Sequence, residues 1–346
     1  MYNTSALILS FYSDAVALPS EDVTAMRKRR NSNRDRVRSN LAAADKPKLI
    51  GMHSQGSYSM HTMIQEASND YDIDDGIYFR KEDLVGPKGG ELSALQVRQM
   101  ICDAAQDDRF KKAPEVLKNC VRVYYNEGYH IDLPSYRRVI ERNPWTGQEE
   151  KKYELASADW KTSDPRAVTD WFKRQNKALS PDFEESEGQF LRVVKLLKAF
   201  ARSRTSWKGQ IATGFMITKL TSDNFVKYAG RDDESLIRTC KAIESRLQTQ
   251  KLITHPTLNE NINREEDGRP EFFRLQLEEK LAHLDILNDP ECTHAQAMAA
   301  WDKFFASDWF AKQPEPEGKK AFAEALGAPS AAVQKQGGGR YGKRFG

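Results

Sequence analysis

Apolar and polar positions alternate with period two along two stretches of this chain and recur at helical spacing along several others. Tyr71, Ile73, Ile77, Tyr78 and Phe79 mark a strand over 71–79, because aromatic and branched side chains suit a pleated surface. Residues 121–125 and 129–133 flank Asn126-Glu127-Gly128, a glycine-containing loop of hairpin length, and predict an antiparallel pair. Ser20 ahead of Glu21 and Asp22 predicts a capped helix running toward Ala43, helical spacing marks 92–105, and a further helix is expected over 167–175. Over 187–202 it places Leu191, Val194, Leu197 and Ala201 on one stripe that Val193, Leu196 and Phe200 widen, as in a core helix. Three more helices are predicted over 232–250, 271–287 and 294–305, separated by His255-Pro256, Asp267-Gly268 and Asp289-Pro290. Residues 143–160 are polar and turn-rich and read as a linker or insertion between lobes.

The chemistry concentrates on the strand over 71–79. Asp72 and Asp74 stand at i and i+2, so both point to one face, about 7 Å apart. Two like charges held so close repel unless cations lie between them, and hard divalent ions with oxygen ligands suit that position. The pattern therefore predicts a two-metal phosphoryl-transfer site. Upstream, Gly56-Ser57 offers a backbone that phosphates can approach, followed by an expected helical turn through 60–67 whose N–H groups would face an anion. Asp132 alternates with Ile131 and Leu133 and can join the pair from a neighbouring strand, which Pro134 is expected to end. A calcium loop starting at Asp70 is excluded, since its sixth and twelfth positions are Asp75 and Lys81 where Gly and Glu are needed. Lys198 borders the apolar stripe of its helix, so its ammonium can reach a cleft while its methylenes stay packed. Ser163-Asp164-Pro165 reads as a capped helix start.

Taken together these residues resemble the nucleotidyltransferases of the DNA polymerase β superfamily, whose signature is Gly-Ser followed by Asp-x-Asp on a strand. More closely, Gln55-Gly56-Ser57, Asp72-Ile73-Asp74-Asp75-Gly76, His130-Ile131-Asp132-Leu133-Pro134, Ser163-Asp164-Pro165, Asp170-Trp171-Phe172 and the Lys198 helix are similar to the bacterial cGAMP-synthase-like (cGAS/DncV-like) family. That family serves anti-phage cyclic-oligonucleotide signalling (CBASS), and the similarity spans roughly residues 49–220.

The resemblance implies an α+β fold: a polymerase-β-like nucleotidyltransferase lobe of mixed sheet and helices, a mainly helical second lobe, and an active site in the cleft between them. It divides the chain into 1–160, 161–312 and a flexible tail, 313–346. It implies synthesis of a cyclic oligonucleotide from ATP and GTP, with a purine cyclic dinucleotide of the cGAMP type as the expected product. Asp72, Asp74 and Asp132 would hold two Mg²⁺ ions, with Mn²⁺ as an alternative, and Asp132 would accept the proton of the attacking hydroxyl. Gln55, Gly56, Ser57, Arg122 and Lys198 would bind the donor nucleotide, although Arg122 sits one position off the family's register. Ser163 and Asp164 would lie near a base, and Thr213 where relatives place a serine on the phosphates, Ala212-Thr213-Gly214 replacing the family's Pro-Ser. By the same resemblance the terminal Gly346 would be a handle for a ubiquitin-activating-like (E1/E2-type) partner.

Composition narrows the alternatives. The chain has 346 residues and a net charge of only +3 from 53 basic and 50 acidic side chains, so it is no bulk polyanion binder. The basic stretch 27–38 reads as a solvated helix face or one spanning the lobes near phosphates. No apolar run approaches the roughly 18 residues of a membrane span, and no secretory signal precedes it, so a cytoplasmic protein with no membrane partner is expected. Cys102, Cys120, Cys240 and Cys292 are scattered and form no metal cluster. The zinc insertion of DNA-sensing animal relatives is thus missing, and a monomer needing no nucleic-acid activator is expected. An RNA-tailing or small-molecule nucleotidyltransferase is the alternative enzyme; a non-catalytic nucleic-acid-binding module would leave three acids idle.

Overall fold

The protein is described by a computed structural model over residues 1–66, 71–126 and 128–315. Helix α1 (Ser5–Phe11) runs into a π-helical turn over Tyr12–Val16, and the long α2 (Ser20–Ala43) follows. Ser20 is the first helical residue and makes no cap; Pro19 precedes it, and its ring fixes the entry angle instead. The sheet lobe then comprises β1 (Gly51–Ser54), the one-turn α3 (Gly56–Ser59), β2 (Asp72–Arg80), α4 (Ala94–Ala104), β3 (Glu115–Val116), β4 (Val121–Tyr124), β5 (His130–Leu133), β6 (Ser135–Arg142), β7 (Glu149–Ala156) and β8 (Trp160–Thr162). The helical lobe follows with α5 (Pro165–Leu179), α6 (Gln189–Arg202), α7 (Gly214–Asn224), α8 (Asp232–Thr249), α9 (Arg269–Leu281) and α10 (His294–Phe305).

The eight strands lie in the order β3-β4-β5-β2-β6-β7-β8, with β1 antiparallel to β2. β5 and β6 both run parallel to β2 and keep one register past Pro134, from Asp74 opposite Asp132 to Ile77 opposite Ser135. Pro134 lacks an N–H but its carbonyl accepts from Ile77 at 2.9 Å, so it interrupts the line of pairing without ending it.

Alternation along β2 sorts its side chains. Ile73, Ile77 and Phe79 face a core built with Val97 and Ile101 of α4, Val37 and Leu41 of α2, and Ile131 and Leu133 of β5. Asp75 falls on that same apolar face and is fully buried. Arg34 of α2 compensates it through Nε at 2.7 Å and Nη2 at 2.5 Å, since an unpaired charge there would cost several kcal/mol. Arg36 similarly meets Asp107 at 2.9 Å. The basic helix is therefore not simply a solvated face: part of its charge ties it to the lobe.

Residues 143–160 are not a linker. They form a turn, β7 and the start of β8, with β7 pairing β6 from Glu149 to Leu155. Glu149–Lys151 are exposed, so no apolar alternation betrays the strand; its ladder and pairs such as Lys152–Glu141 at 2.6 Å hold it. The chain's start also goes elsewhere than the sheet lobe: Ile8, Phe11, Tyr12 and Val16 are buried with Leu197, Phe200, Trp301 and Phe304 in the helical lobe. Among the described residues no helix is long and apolar enough to cross a membrane. All four cysteines are buried free thiols.

Candidate active site

The register of three strands assembles the acids. On adjacent parallel strands Asp72 lies opposite His130 and Asp74 opposite Asp132, and Arg122 of β4 is the antiparallel partner of Asp132. Because strand neighbours in register share a face, these five side chains occupy one patch. Donor atoms of Asp72, His130 and Asp132 all fall within 4.8 Å of one another. Burial, reinforced by the charges of Asp132 and Asp72, pushes the Asp74 carboxyl up to about 7. Arg122 forks Asp132 with two bonds of 2.8 Å and reaches Asp72 at 3.4 Å. Arg122, expected at the donor nucleotide, is thus paired with the acids.

The loop ahead of β2 closes tightly onto it. Gln55 N–H donates to the Asp74 carbonyl at 3.0 Å, and the Gln55 amide donates to the Tyr136 hydroxyl at 2.9 Å. Gly56 adopts φ +62°, which only glycine takes at little cost. A Cβ at that position would meet Oδ2 of Asp74 at 2.2 Å, so the backbone itself walls the carboxylate. The expected helix through 60–67 does not form. α3 stops at Ser59 and His61 takes φ +57°; of the remainder, Ala67 lies outside the described residues.

Across from this loop, a cleft of about 890 Å³ is lined by Gln55, Gly56, Ser57, Asp72 and Asp74 on the sheet side, and by Ser163, Asp164, Lys198 and Thr213 on the helical side. Asp164 caps α5, accepting from Arg166 N–H at 3.1 Å, and Thr213 caps α7 through Met216 N–H at 3.3 Å. Lys198 is not at an exposed stripe edge but buried, 6% accessible, with Nζ on the Thr62 hydroxyl at 2.8 Å and carbonyl at 3.1 Å. Burial first, then Arg202 and Lys195, bring its ammonium down to about 7. Gly346 lies outside the described residues.

Sequence reasoning overlooked His130, Thr62, Tyr136 and the Arg34–Asp75 pair. His130 was legible, since it stands two positions before Asp132 and alternation puts both on one face. The others depend on contacts between distant segments.

This arrangement, a mixed sheet carrying clustered acids against a helical lobe, defines the class: a two-lobed nucleotidyltransferase fold. Residues 51–136 match the family described as cyclic GMP-AMP synthase DncV-like, nucleotidyltransferase domain, so the chain carries a bacterial cGAS/DncV-like nucleotidyltransferase domain. A cyclic GMP-AMP synthase of Escherichia albertii is 23% identical over 215 residues, 60% of this chain but only 44% of that protein's length. Among solved structures, the Vibrio cholerae di-nucleotide cyclase DncV with ATP and GTP superposes with a TM-score of 0.69 at 15% identity, covering 88% of this chain and 96% of that one. The CdnC of E. coli MS115-1, solved with HORMA-deltaN, gives a TM-score of 0.66 at 18% identity, over 88% and 97% of the two chains.

Proposed function

We propose that this chain joins purine nucleoside triphosphates into a small cyclic oligonucleotide by two rounds of nucleotidyl transfer with loss of pyrophosphate. The observation that carries this reading is the placement of Asp72 and Asp74 in one cleft with Gly56, Ser57 and Lys198, while Asp132 stands in register beside Asp74. Asp72, His130 and Asp132 bring donor atoms within 4.8 Å of one another, with Asp74 beside them and Arg122 balancing part of the negative charge, and such a patch fits divalent cations. Asp72, Asp74 and Asp132 would hold two such ions, whose contribution is to neutralise the triphosphate and ease deprotonation of the acceptor 3′-hydroxyl.

The chain's own groups do the positioning. Gly56 and Ser57 line the cleft beside Asp72 and Asp74, where their backbone would meet the phosphate oxygens. Lys198, poised near neutral charge by burial, becomes a full cation when a triphosphate lies beside it. Asp132 is the proton acceptor, and Arg122 holds its carboxylate in one orientation. Ser163 and Asp164, at the start of α5, line the same cleft and would meet a base there. A cleft of about 890 Å³ has room for nucleotides, and two rounds in it would need no template.

Incubating the protein with the four NTPs and Mg²⁺ or Mn²⁺, then resolving phosphatase-resistant products by mass spectrometry, tests the reading. Cyclic purine products are expected without added nucleic acid. Long homopolymer tails, adducts on a small molecule, or an absolute requirement for DNA or RNA would overturn it. A role of such a product in anti-phage signalling, and conjugation through Gly346, belong to the same proposal and are tested by co-expression with neighbouring genes, by phage challenge, and by searching for an acyl adduct that Gly346→Glu abolishes.

A further inference from the structure

We propose that His130 is a ligand of the metal site and that its imidazole makes the site prefer a first-row transition cation, even Mn²⁺ at the weak end of that series, to Mg²⁺; this rests on the two-metal reading above. His130 is buried, 7% accessible, on the strand that already supplies Asp132. Its register partner is Asp72, and its Nε2 contacts Asp72 Oδ1. Nε2 is therefore directed at the carboxylate edge where a cation would sit, and the three donor atoms of Asp72, His130 and Asp132 lie within 4.8 Å. The patch is then a mixed nitrogen and oxygen donor set on rigid strands.

The donor type sets the preference. Mg²⁺ takes oxygen ligands and retains its waters, whereas imidazole nitrogen binds transition ions more tightly along the first-row series. Substituting one nitrogen for an oxygen should leave Mg²⁺ affinity nearly unaffected by His130 while Mn²⁺ affinity depends on it. The competing role is that the imidazole N–H donates to Asp72 and only orients it. Orientation would act on every cation alike, so the two roles separate by the ratio of affinities.

The experiment titrates the full chain with Mn²⁺ alone, and with Mn²⁺ plus a non-hydrolysable ATP analogue, reading bound ion by electron paramagnetic resonance. Mg²⁺ affinity is read by competition. The wild type should show nitrogen hyperfine coupling to bound Mn²⁺ that changes on ¹⁵N-histidine labelling. His130→Gln should lose that coupling and about tenfold in Mn²⁺ affinity, while Mg²⁺ affinity changes by less than about twofold. Bound Mn²⁺ without nitrogen coupling in the wild type, or equal loss of both ions in His130→Gln, overturns the inference but leaves the two-metal reading standing. No Mn²⁺ or Mg²⁺ binding in any condition, with no cyclic product, overturns both. Where His130→Gln misfolds, His130→Asn serves in its place, and absent coupling in the labelled wild type overturns the inference without any variant.

Discussion

A Cβ on residue 56 would lie 2.2 Å from Oδ2 of Asp74, so the backbone at Gly56 and the carboxylate at Asp74 fit together only when position 56 is glycine. The positive φ of 62° adds a second demand for glycine. Gly56→Ala is therefore expected to lower turnover by about a hundredfold or more, through displacement of a central acid. Gly89, also at positive φ but with nothing within 4 Å of its would-be Cβ, supplies the control. Turnover of Gly89→Ala should match wild type. Equal turnover in Gly56→Ala would show that the turn does not serve Asp74.

Asp74→Asn should abolish turnover yet stabilise the protein when divalent ions are chelated. The Asp74 carboxyl is raised from 3.8 to about 7, by burial first and then by Asp132 and Asp72. The folded state consequently binds the extra proton between those values, and stability falls as pH rises from about 4 toward 7, with the whole cost present above 7. The gain in Tm of the Asn variant over wild type should be larger at pH 8 than at pH 5. An equal gain at both values would mean that Asp74 carries no buried charge.

Lys198 titrates with the opposite sign. Its ammonium is held down to about 7 from 10.5, so between these values the unfolded chain holds a proton that the folded chain lacks, and stability rises with pH across that window. Binding of a triphosphate at pH 8 should draw a proton onto Lys198. Calorimetry of ATP binding in two buffers of different ionisation enthalpy should report this uptake in wild type and its loss in Lys198→Met. The same variant is expected to raise the KM for NTP more than it lowers kcat. Unchanged proton uptake and KM would remove Lys198 from the nucleotide site.

The Arg34–Asp75 pair fastens α2 to the apolar face of β2, with Asp75 fully buried and Arg34 mostly so. Arg34→Met leaves that carboxylate unpaired and should cost about 3 kcal/mol or more in urea unfolding. Arg34→Met combined with Asp75→Asn should recover most of the loss. If the two single effects simply add in the double variant, the pair is not coupled.

By itself the sequence determined what local periodicity can encode. Alternation in 71–79 put Asp72 and Asp74 on one face, Asn126-Glu127-Gly128 between β-forming runs announced the hairpin of β4 and β5, and stripes at helical spacing located α6, α8 and α10 to within a few residues. Tertiary structure decided which strand lies beside which, and so brought Asp132, His130 and Arg122 to the acids of β2. It made a strand of Glu149–Ala156, whose exposed charges carry no apolar pattern, and drew Ile8, Phe11 and Tyr12 into a core built mostly from residues beyond 190. It buried Lys198 against Thr62, a partner 136 positions away. The division has one physical cause: the repeat of a helix or strand is written within ten residues, whereas register, burial and charge pairing depend on segments that meet only when the chain has folded.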